Sequence, residues 1–428
     1  MRRPFFGIVA DDMTGGLETA AMLVADGVRC AFVTDAASVG DVGEVEAVVV
    51  AQKTRVVDPA EAVAKSRAAA EALLAAGVRR LFFKYCATFD STDRGNIGPV
   101  ADVLMDLTGA RFAIFCPSSP ALRRTVYNGH LFLGSQLISE SPKRDDPLTP
   151  MTDPNLVRVL QRQTRRKVGL LAHPQTSAGG AVLAEVIDRA TRDGVRYLVA
   201  DAIYDGDLAN LAAATQDCPL VTGNATIVPH YPPLWRASGH LPSDRHPAAL
   251  PAVDGKAIVL AGSCAERTRE QLAVFEADHP VLRIDLGEVD AAAPVVTEAL
   301  AWALPLLERG PVLITTSADP EAVSVAQARH GRDGAAELAE RILGDIAVAV
   351  RTKGVRRFVV AGGETSGAVM ERLGVRRLNV GPYGGPGIGT ATTCGPDPIA
   401  FCLKSGKLGP VGLFAEALNE MTNPGGRE

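Results

Sequence analysis

Phe5-Phe6-Gly7-Ile8-Val9-Ala10-Asp11-Asp12-Met13-Thr14-Gly15-Gly16 (FFGIVADDMTGG) is the stretch on which the fold turns. An apolar run leads into two adjacent acids and then a turn of small residues. The run reads as a buried strand, and its carboxyl end is where open α/β sheets bind ligands. In many such folds the first loop receives a phosphate at the next helix N-terminus. Two carboxylates would repel a phosphate, so this loop is expected to hold something else. A structural reading competes: acids favour a helix N-terminus, and Gly15 and Glu18 stand at capping-box spacing. It accounts for one acid better than for two in a row.

Outward from this stretch, short Val/Ile/Phe-rich runs alternate with Ala- and Leu-rich helical patterns. Strands are expected at 5–10, 29–34, 46–51, 79–84, 111–115, 167–172, 195–200 and 219–222, with helices such as 59–76 and 177–193 between them. This alternation predicts parallel sheets with crossover helices. It lapses between Pro229 and Gly255, where six prolines argue against a regular helix or a central strand. It restarts at 256–261, 281–284, 311–315 and 355–361. The expected architecture is α/β, with two lobes, each a mainly parallel sheet flanked by helices. The lobes are placed at 1–245 and 246–428. A second irregular stretch, 134–155, reads as an excursion over the first lobe.

Bulk properties narrow the function. A chain of 428 residues has room for two or three domains. Its net charge of -5 argues against a nucleic-acid platform, which would show a basic patch. The seven cysteines are odd in number and form no CxxC pair, so reduced thiols are expected rather than a disulfide or zinc framework. The apolar run after Met1-Arg2-Arg3 is too short for a signal peptide, and no run is long enough to span a bilayer. A cytoplasmic protein with no membrane or nucleic-acid partner is expected; a homodimer is the assembly considered.

A second polar cluster, Lys84-Tyr85-Cys86-Ala87-Thr88-Phe89-Asp90-Ser91-Thr92-Asp93-Arg94-Gly95-Asn96, follows the apolar Leu81-Phe82-Phe83. Its cations suit a carboxylate, and its Asp and Asn suit hydroxyls, as a small polyhydroxy acid would require. The competing reading makes Asp90, Ser91 or Thr92 a cap for a helix beginning near Ile97. His130 and His173 are candidate ligands, though a lone loop histidine is more often a satisfied polar group.

In the second lobe, Val359-Val360-Ala361-Gly362-Gly363-Glu364-Thr365-Ser366 reads as strand, glycine turn and helix. Bare N–H groups at such a helix start attract an anion. No GxxxxGK[ST] spacing occurs in the chain, so this is not a Walker A loop. Glu364 is placed to reach Mg²⁺, which takes few carboxylates beside phosphate oxygens. Gly262-Ser263-Cys264-Ala265-Glu266 and Leu403-Lys404-Ser405-Gly406-Lys407-Leu408-Gly409 look as if they converge on the same turn. Ser263 and Glu266 also have capping-box spacing. Acids in one lobe and phosphate-binding loops in the other point to a kinase for a small hydroxylated molecule.

These segments resemble the four-carbon acid sugar kinases nearly end to end. The resemblance is carried by ADDMTGG (10–16), KYCATFDSTDRGNIGPV (84–100), PMTDPNLVRVLQ (150–161), GSCAERTREQ (262–271), AGGETSGAV (361–369) and LKSGKLG (403–409). Within the family, the second and third look most like 3-oxo-tetronate 4-kinases. The resemblance implies an N-terminal sugar-acid-binding domain, a C-terminal nucleotide-binding domain, and ATP-dependent phosphorylation of the C4 hydroxyl of a four-carbon sugar acid. It implies that Asp11, Asp12, Lys84, Asp90, Ser91, Arg94 and Asn96 hold the acid. ATP would be gripped by Ser263, Gly362, Gly363, Glu364, Thr365 and Gly406. Asp12 or Asp11 as proton acceptor follows from the chemistry rather than from the family pattern.

Three segments depart from the family's usual sequence: KSGKLG where KSGNFG is common, GPYGGPGIGTATT (381–393) before it, and Gly223-Asn224-Ala225-Thr226-Ile227. D-threonate, L-threonate and D-erythronate are the alternative acceptors. A two-lobed sugar-acid-binding protein without chemistry is a reading of another class. A dinucleotide-dependent dehydrogenase is a third, weakened because no GxGxxG follows any strand.

Overall fold

The computed structural model describes residues 3–146, 148–247 and 249–424. The chain divides into two compact units, Met1–Pro247 and Ala248–Glu428. In chain order the first unit contains β1 (Phe6–Ala10), β2 (Cys30–Val33), β3 (Ala47–Ala51), β4 (Arg80–Lys84), β5 (Ala113–Cys116), β6 (Arg124–Tyr127), β7 (His130–Leu133), β8 (Gln136–Leu137), β9 (Val168–Leu171), β10 (Tyr197–Ala200) and β11 (Leu220–Gly223). Eight of these described strands form one parallel sheet in the order β2-β3-β1-β4-β11-β5-β10-β9. β1, β2, β3 and β5 are buried along their whole length, as expected of strands covered on both faces. Strands β6, β7 and β8 make a small antiparallel sheet. Beyond it, the stretch expected to be irregular carries short 3-10 turns at Ile138–Glu140 and Pro142–Asp145.

Small residues bring the first helix down onto the sheet. A Cβ on Gly16, in the helix Met13–Ala25, would lie 2.6 Å from that of Ala51 and 3.1 Å from that of Ala10. The helix Pro59–Ala75 starts on Asp58, whose carboxylate accepts from Ala60 N–H, with a proline in the first turn, where no N–H is needed.

The proline-rich stretch after Pro229 departs from expectation. It holds a regular helix, Tyr231–Ala237, preceded by a 3-10 turn at Ala225–His230. Pro232 and Pro233 fall in the helix's first turn, where a missing N–H breaks no bond. The helix packs Trp235 against β1: its ring lies 4.9 Å from that of Phe6, 5.1 Å from Phe5 and 5.9 Å from Tyr231. This segment belongs to the core of the first unit.

The second unit contains β12 (Lys256–Ala261), β13 (Val281–Arg283), β14 (Val312–Thr315), β15 (Val355–Ala361), β16 (Arg377–Val380), β17 (Ile388–Thr393) and β18 (Ala400–Lys404). Their order is β13-β14-β12-β15-β18-β17-β16. The first five in that order are parallel, and β17 runs antiparallel to both neighbours. Both units are thus mainly parallel sheets flanked by helices, as the alternation predicts. No described helix is long and apolar enough to cross a membrane.

Trp235 is 1% exposed. Trp235→Ala is expected to destabilise the protein by about 3–5 kcal/mol, as for a large buried aromatic. Urea denaturation would measure it; a loss under about 1 kcal/mol would place the helix outside the core.

Candidate active site

Each unit carries a candidate site at the carboxyl edge of its sheet. In the first, β1 and β4 are neighbours, with Ala10 opposite Lys84. The chain leaves β1 toward β2 on one side and leaves β4 toward β5 on the other. Parallel neighbours whose connections diverge leave a crevice at their carboxyl ends. Asp11, Asp12 and Lys84 occupy it. Asp11 N–H donates to Lys84 C=O (3.1 Å) and Thr54 N–H to Asp11 C=O (3.1 Å), tying the loops after β1 and β3 to the end of β4.

The side chains form a compact ionic cluster. Lys84 Nζ donates to Asp12 Oδ1 and lies 3.5 Å from Asp11 Oδ1. Arg55, in the loop after β3, donates from Nε to Asp11 Oδ2 (2.7 Å) and from Nη2 to Asp11 Oδ1 (2.9 Å). Nη2 also lies 2.9 Å from Asp12 Oδ1. Asp12 Oδ2 accepts from Gly15 N–H (3.1 Å), so Asp12 is the N-cap of Met13–Ala25. The capping-box spacing of Gly15 and Glu18 is therefore not used. A side chain on Gly15 would overlap the Lys84 amine, which explains the glycine.

Burial acts differently on the two acids. It would raise the pKa of Asp12, but Arg55, Lys84 and the Gly15 N–H outweigh it and hold the carboxyl well below its usual range. For Asp11 burial prevails over the same two cations and pushes the carboxyl up. Asp12 is the firmly ionised member and Asp11 the better proton acceptor.

The second polar cluster folds against the first. Phe89 and Asp90 both have left-handed backbones, φ 63° and 34°. Non-glycine strain of this kind, about 1–3 kcal/mol per residue, gathers at functional sites. Phe89 is anchored edge-on to Tyr85 at 5.6 Å. Asp90 pairs with Lys143 Nζ at 2.6 Å; Arg55 and Lys143 outweigh burial and lower its pKa. Asp11, Arg55, Asp90, Ser91 and Asn96 line one narrow crevice. Ser91 and Arg94 also line a wider adjoining hollow of about 220 Å³ with Thr152 and Arg162.

Asn96 donates from Nδ2 to the carbonyls of Thr54 (2.7 Å), Arg55 (3.2 Å) and Val57 (3.0 Å), so its amide holds the Arg55 loop. Asn96 also stands at the N-cap of the helix Ile97–Thr108; Asp90, Ser91 and Thr92 do not, so the capping reading of those three is overturned. Ser118 and Ser119, just beyond β5, have buried hydroxyls with no hydrogen-bond partner among the described residues, as has Thr14. Such groups at a strand-end crevice suit a polar ligand.

His130 sits in β7 with Nδ1 2.8 Å from Asn128 C=O. His173 lies 3.4 Å from Asp207 Oδ2. His130 Nε2 also lies 3.4 Å from Asn155 Nδ2, and the His173 ring lies 6.0 Å from that of Tyr127 and 6.3 Å from that of Tyr204. Arg55 and Lys143 were not anticipated. Arg55 was accessible to the strand-end rule, since it follows a strand expected at 46–51. Lys143 comes from the irregular excursion, where nothing in the sequence ties it to Asp90.

In the second unit β12 and β15 repeat the divergence: one leads toward β13, the other toward β16. Thr315, Ala261, Ala361 and Lys404 end four parallel strands in register. Gly362 has φ 127°, outside the reach of most side chains, and starts the helix Gly363–Arg372. Its N–H donates to Lys404 C=O at 3.0 Å. A Cβ on Gly262 would overlap Thr365 Oγ1, and one on Gly406 would overlap Ser263 Oγ. Ser263, Gly362, Thr365 and Gly406 are therefore brought together, with Gly363 and Glu364 exposed on the first helical turn.

Two expectations for this edge change. The helix after β12 starts at Glu266 on Ala265, so Ser263 is not its cap. Ser263 C=O instead accepts from Ser317 Oγ at 2.7 Å. Lys404, in the segment expected to converge on the Gly362 turn, points inward instead. Its Nζ donates to Gln271 Oε1 (2.6 Å), Thr268 Oγ1 (2.9 Å) and Gly406 C=O (3.3 Å). Burial, with Arg267 adding to it and Cys402 opposing, lowers its pKa to about 8.

Residues 6–231 match the model of a sugar-binding N-terminal domain, and 258–414 that of a nucleotide-binding C-terminal domain. The chain is 46% identical to a 3-oxo-tetronate kinase of Burkholderia multivorans, over 98% of each chain. It is 44% identical to one of Cupriavidus necator, again over 98% of each. The crystal structure of a Salmonella typhimurium LT2 protein superposes with a TM-score of 0.86 at 32% identity, covering 97% of this chain and 99% of that one. A sugar-binding domain joined to a nucleotide-binding domain, in a chain this similar to curated kinases over its whole length, places the protein among the small-molecule kinases. The chain belongs to the four-carbon acid sugar kinase family, and it is an ATP-dependent kinase of a sugar acid.

Asp12→Asn keeps an acceptor for Gly15 N–H but leaves Lys84 and Arg55 facing one carboxylate. A loss of about 2–3 kcal/mol is expected, less than for a fully buried pair because Asp12 is partly exposed. Equilibrium denaturation reads it, and unchanged stability would remove the cluster as a folding element.

Lys404→Met tests the inward lysine. Below pH 8 the wild type carries the full penalty of a buried cation. Between about 8 and the ordinary 10.5 the unfolded chain binds the extra proton, so wild-type stability relative to Lys404→Met should rise with pH and then level off. A flat difference from pH 7 to 10.5 would refute the lowered pKa.

Proposed function

We propose that the protein is a 3-oxo-tetronate 4-kinase, transferring the γ-phosphoryl group of ATP to the C4 hydroxyl of 3-oxo-tetronate. The observation that carries the reading is the ionic cluster at the β1/β4 crevice. There a buried acid of raised proton affinity sits beside one held ionised. The names of relatives at 42–46% identity over nearly the whole chain support the choice of acid.

In this reading the C4 oxygen attacks the γ-phosphorus, the bond from phosphorus to the β–γ bridging oxygen breaks, and ADP leaves. Asp11 accepts the hydroxyl proton. Asp12 stays charged and fixes Lys84. Asp90 and Ser91 meet the substrate hydroxyls, Arg94 and Lys84 attract its carboxylate, and Asn96 acts by setting Arg55. Ser263, Gly362, Gly363, Thr365 and Gly406 receive the nucleotide. No group of three or more metal-ligating side chains occurs among the described residues. Mg²⁺ is held by one or two carboxylates plus substrate phosphates, and Glu364 on the exposed first turn is the carboxylate that would serve. When bound, the ion neutralises phosphate charge. The cytosol is the compartment where ATP and this acid would meet the enzyme.

The test is ADP release with Mg-ATP against 3-oxo-tetronate generated in situ, D- and L-threonate, and D- and L-erythronate. Turnover is expected with 3-oxo-tetronate; turnover with another acid alone would replace the acceptor. Asp11→Asn should lower kcat by about 10²–10⁴-fold, the usual share of a general base. Wild-type turnover in that variant would exclude Asp11 from proton transfer.

A further inference from the structure

The second unit carries a hollow of about 180 Å³ beside the helix Leu413–Thr422, at the opposite edge of the sheet from the Gly362 and Gly406 loops. Strand register places it there. In the antiparallel pair β17/β18, Thr392 stands opposite Ala400 and Thr390 opposite Cys402, so these four side chains share one face. Ala400 and Cys402 belong to the core cluster that Ala417 and Met421 of the helix complete. The hollow lies at the amino end of β18, at Ala400. The glycine loop follows the other end, at Lys404, four residues or about 13 Å along the strand. Leu250, just past the boundary at Pro247, closes one side. It comes close because residue 381 is glycine: a Cβ there would lie 2.9 Å from Leu250 Cδ1 and 2.5 Å from Thr390 Oγ1. Pro382, Thr390 and Thr392 all lie in the segment 381–393 that departs from the family's usual sequence.

The lining is apolar except for Thr390, Thr392 and Glu420. One of these calls for a partner. Thr392 is 1% exposed, and its Oγ1 has no hydrogen-bond partner among the described residues. A buried hydroxyl left unpaired is unfavourable, so a ligand atom that bonds it gains over a plain hydrocarbon. Charge narrows the occupant further. No Lys, Arg or His lines the hollow among the described residues, and Glu420 does, so an anion finds no cation there. Neither a sugar acid nor a nucleotide suits such a lining. Size sets the rest: an apolar cavity of about 150 Å³ takes one benzene ring. The space here suits a single ring with one small substituent.

We infer that this hollow is a second ligand site, for a small neutral ring compound bearing one hydrogen-bonding group, of the phenol class. The ring lies against Ala400, Ala417 and Met421, and the substituent bonds Thr392 Oγ1. The site is separate from both strand-end crevices and does not rest on the kinase reading.

The test follows the methionine methyl resonances of the full chain, carbon-13 labelled, as phenol, toluene or benzoate is added. Met421 lines the hollow, whereas Met105 and Met370 do not. Phenol should shift the Met421 signal saturably and leave those of Met105 and Met370 in place, and Mg-ATP should not displace it. Benzoate should bind at least tenfold more weakly. Thr392→Val should weaken phenol several-fold and leave toluene unchanged or tighter. Thr390→Phe, which fills the space, should abolish binding of both. If Thr390→Phe does not fold, Thr392→Val and the benzoate comparison decide. A Met421 signal that phenol does not move, or a Thr392→Val variant that binds phenol as wild type does, would overturn the inference. Displacement of phenol by Mg-ATP would overturn it too, by placing the probe at the nucleotide loops.

Discussion

Lys84 ends a strand that is buried from Leu81 onward, and its ammonium has almost no contact with solvent. Taking such a charge out of water is unfavourable by several kcal/mol unless it is paired and hydrogen-bonded. The pairing must come from groups that the backbone already holds at the same edge. β1 supplies them, because Ala10 stands opposite Lys84 and the next two residues are acids. Two acids against one lysine would leave excess negative charge, and Arg55 from the neighbouring strand end removes it. Arg55 is in turn held by Asn96, which grips the carbonyls on either side of it. The glycine at 15 leaves the space that the amine fills. The first loop, its helix start, the 52–57 loop and the start of the helix Ile97–Thr108 all follow from seating one buried cation.

The same topology serves opposite electrostatic ends. β1/β4 and β12/β15 are each neighbouring strands whose connections diverge, so each pair presents a crevice at its carboxyl edge. In the first unit the crevice is filled by side-chain charges that cancel one another. In the second it is lined by glycine backbone and hydroxyls, with a free helix start. A neutralised acid–cation cluster can exchange partners with a hydroxy acid. A bare helix N-terminus favours phosphate. Separate domains let each crevice keep its own charge character, which one loop could not do.

Strand positions were legible because buried parallel strands read as continuous apolar runs, and their order along the chain sets the carboxyl edges. Asp11, Asp12 and Lys84 could therefore be placed together from the sequence. The helix Tyr231–Ala237 could not, because proline counts say nothing about whether prolines fall in a first turn. Lys143 could not either: its contact with Asp90 spans an irregular segment in which no periodicity sets direction. Lys404 was legible as part of a glycine-rich loop but not in orientation. Only the packing of Thr268 and Gln271 beneath it shows that it holds the loop from inside rather than facing a phosphate.

Two of the departures from the family's usual sequence are physically one change. Ser405 N–H donates to Gly387 C=O at 2.8 Å, so the loop after β18 leans on the glycine-rich segment that leads into β17. A Cβ on Gly387 would lie 2.6 Å from Leu408 Cδ1, and one on Gly409 would lie 3.5 Å from Ile388 Cδ1. Leu408, standing where an aromatic is usual, thus packs into space that exists only because residue 387 has no side chain. Gln271 holds the far end of the loop by donating to Pro410 C=O at 2.8 Å, and Thr268 donates to Gly406 C=O at 2.8 Å. These anchors fix Gly406 against Ser263 without involving the side chains at 407 and 408. The altered pair therefore sets how the loop is buttressed from behind, while Gly406 is held by Thr268 and the far end of the loop by Gln271.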